Sequence, residues 1–378
     1  MDITDPLLLF GTILSMYIAL SLTLNLEFGF TGLPNFGKVL FVAAGGMLSA
    51  TVMYRVALVL FKLHSNDIFE SSPRFSSTID VGLASNPVLA TELLVLILLV
   101  GAVVGAALGY LASYPAIRLR EDYLGMLLLG AGELFALLTA YYPPIAGGPE
   151  NLTTPDLLVG FGSAEKYVIL VVFAVVAVFI FFYAERVAKS PLGRTLKAVR
   201  DNEIASEALG KDNINIRRKM LMISSALSGI IGALWILYWS QIGGLIGGDV
   251  GGTFPRLLFT FYPFTIVILG GIASNYGVVL GAVALTTVYV GTTELLPTMV
   301  TAVNISGQNA NLLTDFINST QYIILGTLVI VVLLVRAGGI IPEKPSYPLR
   351  KSKLKEMASA AGEPPPAPEK PDSEPVKA

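Results

Sequence analysis

The run LLVLILLVGAVVGAALGYLA, residues 93–112, contains twenty residues and no charge. It matches the roughly 20 apolar residues that one α-helix needs to cross the hydrocarbon core of a bilayer, and it predicts a membrane-spanning helix. The whole chain shares this character, since its 378 residues are 54% hydrophobic and 14% charged, with a mean hydropathy of +0.70. Ordinary soluble domains carry about 25% charged residues. The sequence therefore predicts an all-α, polytopic protein embedded in the lipid bilayer.

Further apolar runs on either side bring the expected number of transmembrane helices to about nine. The predicted spans are Leu7–Leu26, Val39–Phe61, Leu93–Tyr114, Tyr123–Tyr142, Tyr167–Ala184, Met220–Ser240, Leu257–Gly270, Val278–Leu295 and Gln321–Val335. Residues 1–341 are thus expected to form one transmembrane domain, which includes a cytoplasmic loop at 187–219. Residues 342–378 are rich in Pro, Glu, Lys and Ala, a composition that predicts a disordered cytoplasmic tail.

The positions of the basic residues predict the orientation of the chain. Arg118 and Arg120, the loop 187–219 and the tail 342–378 fall on one side of the membrane if the predicted spans alternate. Basic loop residues favour the cytoplasmic side. We therefore expect a multi-pass protein of the cell membrane with its N-terminus outside and its C-terminus in the cytoplasm.

Several function classes are disfavoured by the composition. The chain has no cysteine and one histidine, His64, so it predicts neither a metal site nor a histidine-based acid–base site. Residues 32–39, GLPNFGKV, contain a GxxxxGK pattern. A phosphate-binding loop, however, needs a preceding strand and a Ser or Thr where Val39 stands. We expect no cofactor, no metal, no nucleic-acid partner, no ATP hydrolysis by this chain itself and no enzyme active site within the spans.

One long polar segment, Ser190–Lys219, interrupts the apolar runs. Ser190 followed by Pro191 predicts a helix start, Asp201-Asn202 a second helix cap, and Gly210 a helix end. The segment is therefore expected to form one bent helix or two short ones. Its apolar stripe would contain Leu192, Leu196, Val199, Ala205, Ala208 and Leu209. A solvated amphipathic connector and a docking element are equally good interpretations of this pattern.

Charged residues within or beside the spans are few. Glu133 lies near the middle of the span Tyr123–Tyr142, where a carboxylate costs roughly 2.5 kcal/mol or more unless it faces protein or water. It is predicted to line a pathway or to be buried by packing, with equal weight. Glu27 is expected at a span end, where interfacial placement explains it, and Lys38 is expected to be a cytoplasmic anchor.

Two short segments resemble each other, Asn35-Phe36-Gly37-Lys38-Val39-Leu40 and Asn275-Tyr276-Gly277-Val278-Val279-Leu280. Each is expected in an inner turn before a span, which favours the hypothesis of an internal duplication with two matching helix starts. The two turns would surround a translocation path. Close helix packing is the competing explanation for their glycines, and it has similar weight.

The sequence resembles the permease subunits of branched-chain amino-acid ABC transporters, the LivM-type proteins. The residues that carry the resemblance are Leu24–Leu26, Gly29–Gly32, Phe36-Gly37, Ile117–Arg120, Tyr123-Leu124, Glu133, Gly193-Arg194, Ala198, Arg200–Glu203, Glu207–Gly210, Lys219, Ser225-Ala226, Gly229, Gly232–Leu234, Leu269–Gly271 and Gly277–Ala282. They extend over residues 24–336. Glu27 and Lys38 depart from the family pattern, which has an apolar residue and commonly a histidine there.

The resemblance implies a transmembrane permease domain that moves branched-chain amino acids, or another amino acid, urea or a short amide. Its implied partners are a second related permease, two cytoplasmic ATPase subunits and an extracytoplasmic solute-binding protein. The residues expected to couple to the ATPase are Gly193, Arg194, Arg200, Asn202, Glu203, Glu207 and Gly210. Those expected to line or gate the path are Gly32, Asn35, Gly37, Glu133, Gly270, Gly271, Asn275 and Gly277. The alternative is an ion-coupled secondary transporter with Glu133 as its proton site, although no span centre offers this carboxylate a basic partner.

Overall fold

The computed structural model describes residues 4–64, 69–119, 121–148, 151–242, 252–295, 308–336 and 338–343. The α-helices in these ranges are α1 (Thr4–Leu24), α2 (Lys38–Leu60), α3 (Ser72–Ala84), α4 (Pro87–Arg118), α5 (Glu121–Tyr141), α6 (Pro143–Ala146), α7 (Glu165–Lys189), α8 (Pro191–Asp201), α9 (Glu203–Ala208), α10 (Asn213–Trp239), α11 (Tyr262–Gly270), α12 (Asn275–Val290) and α13 (Gln308–Val335). The π-helical turns are Asn25–Gly29, Leu257–Phe261 and Gly291–Leu295, and a 3-10 helix covers Val159–Ala164.

In the described parts of the chain, seven helical segments are long and apolar enough to cross a membrane, which confirms the all-α, polytopic class. They are Asp5–Gly29, Lys38–Leu60, Pro87–Pro115, Tyr123–Tyr141, Val159–Lys189, Asn213–Trp239 and Asn275–Thr293. The predicted spans at 257–270 and 321–335 also fall on helices, but their apolar parts, Leu257–Gly270 and Ile323–Val335, are shorter than a full crossing requires. The predicted number of nine spans is therefore not confirmed.

Helix α10 lies at the centre of one packed block and contacts both α2 and α4. Glycines make this contact close: a Cβ on Gly229 would lie 2.0 Å from the carbonyl oxygen of Gly101. A Cβ on Gly45 would lie 2.3 Å from the Cα of Gly229, and one on Gly105 would lie 2.2 Å from the carbonyl oxygen of Ser225. These backbones touch directly, so the small residues of α4 serve helix packing.

Helix α1 organises the rest of the membrane core by packing against α7, α11 and α12. Tyr17 of α1 is buried and contacts the rings of Tyr262 and Tyr289, with ring centroids 6.2 and 6.4 Å apart. This contact places the first residues of α11 beside the middle of α1.

Three predicted outer loops meet at one end of the bundle. Strand β1 (Leu152–Thr153) pairs antiparallel with β2 (Gln241–Ile242). Ser72 and Ser76 of α3 exchange hydrogen bonds with the backbone of Thr153 over 3.1 and 2.7 Å. These loops therefore share one side of the molecule, as alternation of the spans requires.

The chain divides by its contacts into Met1–Pro342 and Glu343–Ala378. Of the second unit, the structure describes Glu343 alone, so the predicted disordered tail lies outside the described residues. Arg120 also lies outside them.

Candidate functional site

The polar segment between α7 and α10 folds as two short helices, α8 and α9, each with a side-chain cap. The Ser190 hydroxyl accepts the N–H of Gly193 at 3.3 Å, and the Asn202 Oδ1 accepts the N–H of Ala205 at 3.0 Å. Gly210 has a φ of +75°, which glycine adopts without strain. The two predicted caps and the predicted helix end are confirmed, and of the two predicted arrangements the pair of short helices is the one that forms.

The predicted continuous apolar stripe of this segment is wrong. Leu196 and Val199 of α8 are buried, whereas Leu209 after α9 is 79% exposed and Ile204 of α9 is 81% exposed. The reason is the extended backbone of Asn202, with φ −156° and ψ 102°, which separates the two helices and changes the direction of α9. Sequence reasoning allowed two short helices but placed Leu209 on the same apolar stripe as Leu196 and Val199, because residue spacing does not give the direction in which the second helix leaves Asn202.

Side-chain contacts attach α9 to the start of α10. The Asn213 side chain donates to the carbonyl oxygen of Glu203 at 2.9 Å, and Ser206 donates to Asn213 Oδ1 at 2.9 Å. The Glu203 carboxylate pairs with Arg217 at 2.7 Å. Arg194 and Glu207 are exposed. Gly193 is buried, and its surroundings leave no room for a side chain, since a Cβ there would lie 2.4 Å from the carbonyl oxygen of Val187.

Helix α8 touches the end of α1 through two basic side chains. Arg200 Nη1 donates to the carbonyl oxygen of Gly29 at 2.6 Å, and the Lys197 ammonium lies 5.4 Å from the ring centre of Phe30. Gly32 has a φ of +74°, and a Cβ there would lie 3.1 Å from Arg200 Cγ. The structure thus brings together Arg200 and Gly32, which the sequence had assigned to two different sites.

Glu27 and Lys38, the two departures from the family pattern, form an ion pair in the core. Lys38 Nζ lies 3.2 Å from Glu27 Oε2, and both side chains are 0% exposed. Asn35 Nδ2 donates to the same carboxylate oxygen at 2.9 Å, and Lys38 also donates to Ser224 Oγ at 2.8 Å. Glu27 Oε1 has no hydrogen-bond partner in the described parts of the chain.

The expected positions of Glu27 at the interface and of Lys38 as an anchor are therefore wrong. The chain after α1 turns back into the protein, so that Val39 N donates to Thr260 Oγ1 at 3.0 Å and α2 begins beside the first turns of the segment 257–270. Periodicity alone cannot show that a span begins below the membrane surface.

The second Asn-aromatic-Gly turn also begins a helix, α12, capped by Ser274, which accepts the N–H of Gly277 at 3.3 Å. Asn25 Nδ2 donates to Asn275 Oδ1 at 3.0 Å, and Asn275 donates to Glu185 Oε2 at 3.0 Å. The two helix starts predicted to match therefore differ: α2 begins at Lys38 after Gly37, without a side-chain cap, whereas α12 begins at Asn275 itself, behind the Ser274 cap.

The neighbouring glycines of this second turn are closely packed. A Cβ on Gly277 would lie 2.3 Å from the carbonyl oxygen of Gly270, and Gly271 has a φ of +121°. A Cβ on Gly37, in the first turn, would lie 2.4 Å from the carbonyl oxygen of Leu128. These contacts explain the glycines by packing, and a path-lining role for the two turns stays a prediction.

Glu133 does have a basic partner, contrary to the sequence-based expectation. Arg256 Nη1 lies 2.8 Å from Glu133 Oε2, with side chains 46% and 34% exposed. Arg256 lies between the predicted spans Met220–Ser240 and Leu257–Gly270 and was therefore expected in a loop and not in a span. The sequence signal that could have found it is the short apolar run 257–270, which cannot cross the bilayer alone and so can begin at depth.

A polytopic helical bundle with ion pairs inside it is typical of membrane transport proteins, because charged side chains at membrane depth commonly mark transport pathways. Residues 7–333 match the family described as "Branched-chain amino acid transport system / permease component", and the chain belongs to this family.

Named relatives agree with this family. The chain is 33% identical over 348 residues to a probable branched-chain amino acid transport permease protein LivM of Methanocaldococcus jannaschii, covering 91% of this chain and 95% of the relative. It is 27% identical over 278 residues to the high-affinity LivM permease protein of Salmonella typhimurium, covering 67% and 58%. It is 26% identical over 282 residues to that of Escherichia coli K12, covering 68% and 59%. No solved structure matches.

Proposed function

We propose that this chain is the permease subunit of an ATP-driven importer that carries branched-chain amino acids across the cell membrane. ATP is hydrolysed by a partner subunit, since neither the sequence nor the family description assigns that chemistry to the chain. A second permease completes the path, and a solute-binding protein delivers solute from outside. Another amino acid, urea or a short amide is the alternative solute.

The observation that carries the proposal is the pair of helices α8 and α9. They form a compact element with two exposed apolar side chains, Ile204 and Leu209, at its far edge. Exposed apolar side chains rimmed by polar residues are typical of protein docking sites. Arg200 of the same element donates a hydrogen bond to the carbonyl oxygen of Gly29, in the π turn that follows α1. A displacement of the docking element would therefore be transmitted to this turn.

A copurification experiment tests the docking role. Ile204→Ser combined with Leu209→Ser should lower the amount of ATPase subunit that purifies with the permease by about tenfold or more, because central anchor residues commonly contribute 2 kcal/mol or more. Val81→Ser is the matched control, since Val81 is exposed to 75% on α3, among the predicted outer loops. Unchanged copurification of the double variant would refute the docking role.

The proposed orientation places the N-terminus outside and the C-terminus in the cytoplasm. Because the chain has no cysteine, single cysteines at Ser77 and Glu207, both exposed, can be labelled in intact vesicles. They should react from opposite sides, with Glu207 on the ATPase side. Labelling of both from the same side would contradict the orientation.

The ion-coupled alternative makes a different prediction. A secondary transporter would move solute in vesicles that contain this chain without ATPase subunits and would respond to a proton gradient. The importer proposed here requires ATP and the complete assembly. Uptake assays with and without ATP, and with and without a gradient, separate the two.

A further inference from the structure

The ion pair Glu133–Arg256 lies at mid-height of the bundle, and its side chains are 34% and 46% exposed. Glu133 is near the middle of α5, and Gly132 beside it contacts Val39, which is itself hydrogen-bonded to Thr260. The helical segment that follows Arg256 consists of a five-residue π turn and the nine residues of α11. At about 1.5 Å per residue it is roughly 20 Å long, against about 30 Å for the hydrocarbon core.

The far end of this short segment is anchored on the side of the basic loops. The carbonyl oxygen of Gly270 accepts the N–H of Ile341 at 2.9 Å, and the adjacent Asn275 bonds Glu185, which pairs with Lys189 at the end of α7. The segment therefore begins inside the membrane. Irregular backbone at such depth occurs where it is buried in protein or lines a cavity.

The backbone before Arg256 meets this condition. The carbonyl oxygen of Thr253 accepts the indole N–H of Trp235 at 2.9 Å. The Phe254 ring is buried against Gly46 in the middle of α2. The residues just before Arg256 are thus fixed, and Arg256 stands at the N-terminus of the helical segment 257–270. A helix N-terminus carries a partial positive charge that favours an anion.

The pair retains unused binding capacity. Glu133 Oε2 receives no well-directed hydrogen bond among the described residues, although Arg256 Nη1 is close to it. Arg256 carries five N–H donors, and Nη1, the nitrogen nearest to Glu133, carries two of them. The Glu133 carboxylate and the Arg256 guanidinium could therefore each bind a second charged group while the two side chains stay in contact.

An apolar cavity adjoins Arg256 and Gly132, the residue before Glu133. Its lining consists of Val39, Ala43, Met47, Gly132, Phe135, Ala136, Thr139, Phe254 and Arg256. Its volume of about 10 Å³ is enough for one water, so it must widen to hold a solute. Its walls come from α2, α5 and the segment before α11, so a movement of α5 relative to α2 would widen it.

We propose that Glu133 and Arg256 bind the two charges of a zwitterionic amino acid during transport, a step that rests on the proposed function. Glu133 takes the solute ammonium and Arg256 its carboxylate, which replaces one internal ion pair by two pairs with the solute. No charge is left without a partner, which avoids the large cost of an isolated ion in a low-dielectric site. The aliphatic side chain of the solute enters the cavity between Val39 and Phe135. Urea and short amides, which lack both charges, are excluded as preferred solutes.

The test measures discrimination by the complete assembly in proteoliposomes with ATP. Uptake of labelled leucine is competed with leucinamide, which lacks the carboxylate, and with 4-methylpentanoate, which lacks the ammonium. Arg256→Gln should reduce the preference for leucine over leucinamide by about 10- to 100-fold, the usual range for a lost charged hydrogen bond. Glu133→Gln should reduce the preference over 4-methylpentanoate to a similar extent and leave the other preference unchanged.

Control variants and conservative variants make the result decisive. Asp5→Asn and Lys166→Gln disrupt an exposed pair of similar length, 3.0 Å, and should alter neither preference. If a Gln variant does not assemble, Arg256→Lys and Glu133→Asp keep the charges, and the same selective change is expected in smaller measure. Uptake that falls equally for every competitor would mean a purely structural pair and overturn the proposal. Failure of the unaltered assembly to take up any amino acid would instead refute the proposed function.

Discussion

Two ion pairs between different elements, Glu27–Lys38 and Glu133–Arg256, have similar lengths and opposite surroundings. The first is completely enclosed, and Asn35 and Ser224 contribute further hydrogen bonds to it. The second is about one-third to one-half exposed and borders a cavity. The fully buried pair, called the sealed pair below, fixes the backbone segments that carry it. The partly exposed pair, called the open pair, can change partners. The degree of burial of an ion pair, more than the distance between its charged atoms, thus distinguishes a structural ion pair from a candidate binding site.

The largest effect is expected from breaking the sealed pair. Lys38→Met leaves the Glu27 carboxylate buried without its cation and should reduce the free energy of unfolding by about 3–5 kcal/mol. The double variant Glu27→Leu with Lys38→Met should recover most of this loss, because an apolar pair replaces both charges. Denaturant unfolding of the purified chain in detergent measures both. Equal stability of the single and double variants would show that the pair is not sealed.

Glycines beside the two pairs provide a second comparison. Gly37→Ala, next to Lys38, places a methyl group 2.4 Å from the carbonyl oxygen of Leu128 and should cost about 1–3 kcal/mol. Gly130→Ala, one helical turn before Glu133, meets nothing within 4 Å and should be neutral or stabilising by up to about 1 kcal/mol. Melting temperatures of the two variants check this. Similar losses at both sites would remove the contrast between a tight and an open region.

A smaller effect is expected when the open pair is broken. Glu133→Gln should change the free energy of unfolding by less than about 1 kcal/mol, because a half-exposed pair contributes little net stability. The same unfolding assay applies, with Lys166→Gln as the exposed reference. A loss as large as that of Lys38→Met would show that Glu133 is structural in the same sense as Glu27.

The smallest effect concerns an acid on the outer loops that is held by a backbone N–H. Asp80 accepts the N–H of Asp156 at 2.8 Å, and burial raises the pKa of Asp80 to about 6. Because this pKa exceeds its ordinary value of 3.8, protonation of Asp80 favours the folded form. The contribution of protonated Asp80 to the free energy of unfolding is therefore lost as the pH rises through about 6.

Stability should therefore be slightly higher at pH 5 than at pH 7.5, and burial raises the pKa of Asp156 in the same direction. Asp80→Asn should reduce this difference while keeping an acceptor for the Asp156 N–H. Protease resistance of the α3 region at the two pH values measures the change. An undiminished difference in the variant would assign the pH dependence to other groups.

Local signals in the sequence were sufficient for the class of protein and for the helix caps. The uncharged run 93–112 required a membrane span, and Ser190, Asn202 and Gly210 mark helix ends because their side chains or backbone angles act within three or four residues. Contacts between distant segments were beyond such reasoning. The approach of Lys38 to Ser224 and of Glu133 to Arg256 depends on where helices begin along the membrane normal. The direction of α9 likewise depends on one extended residue, Asn202.

The glycine contacts of α10 also set an order of events during synthesis. Helices α2 and α4 leave the ribosome before α10, so the surfaces around Gly45 and Gly101 have no permanent neighbour until residues 213–239 have been made. Until then, Lys38 also lacks Ser224, the hydroxyl to which it donates a hydrogen bond in the finished protein. Before α10 is made, Lys38 has only Glu27 of its two partners among the described residues, and the groove formed by α2 and α4 is unfilled. A chain shortened before residue 213 is expected to be a substrate for membrane quality control, because α2 and α4 then lack the helix that packs against both.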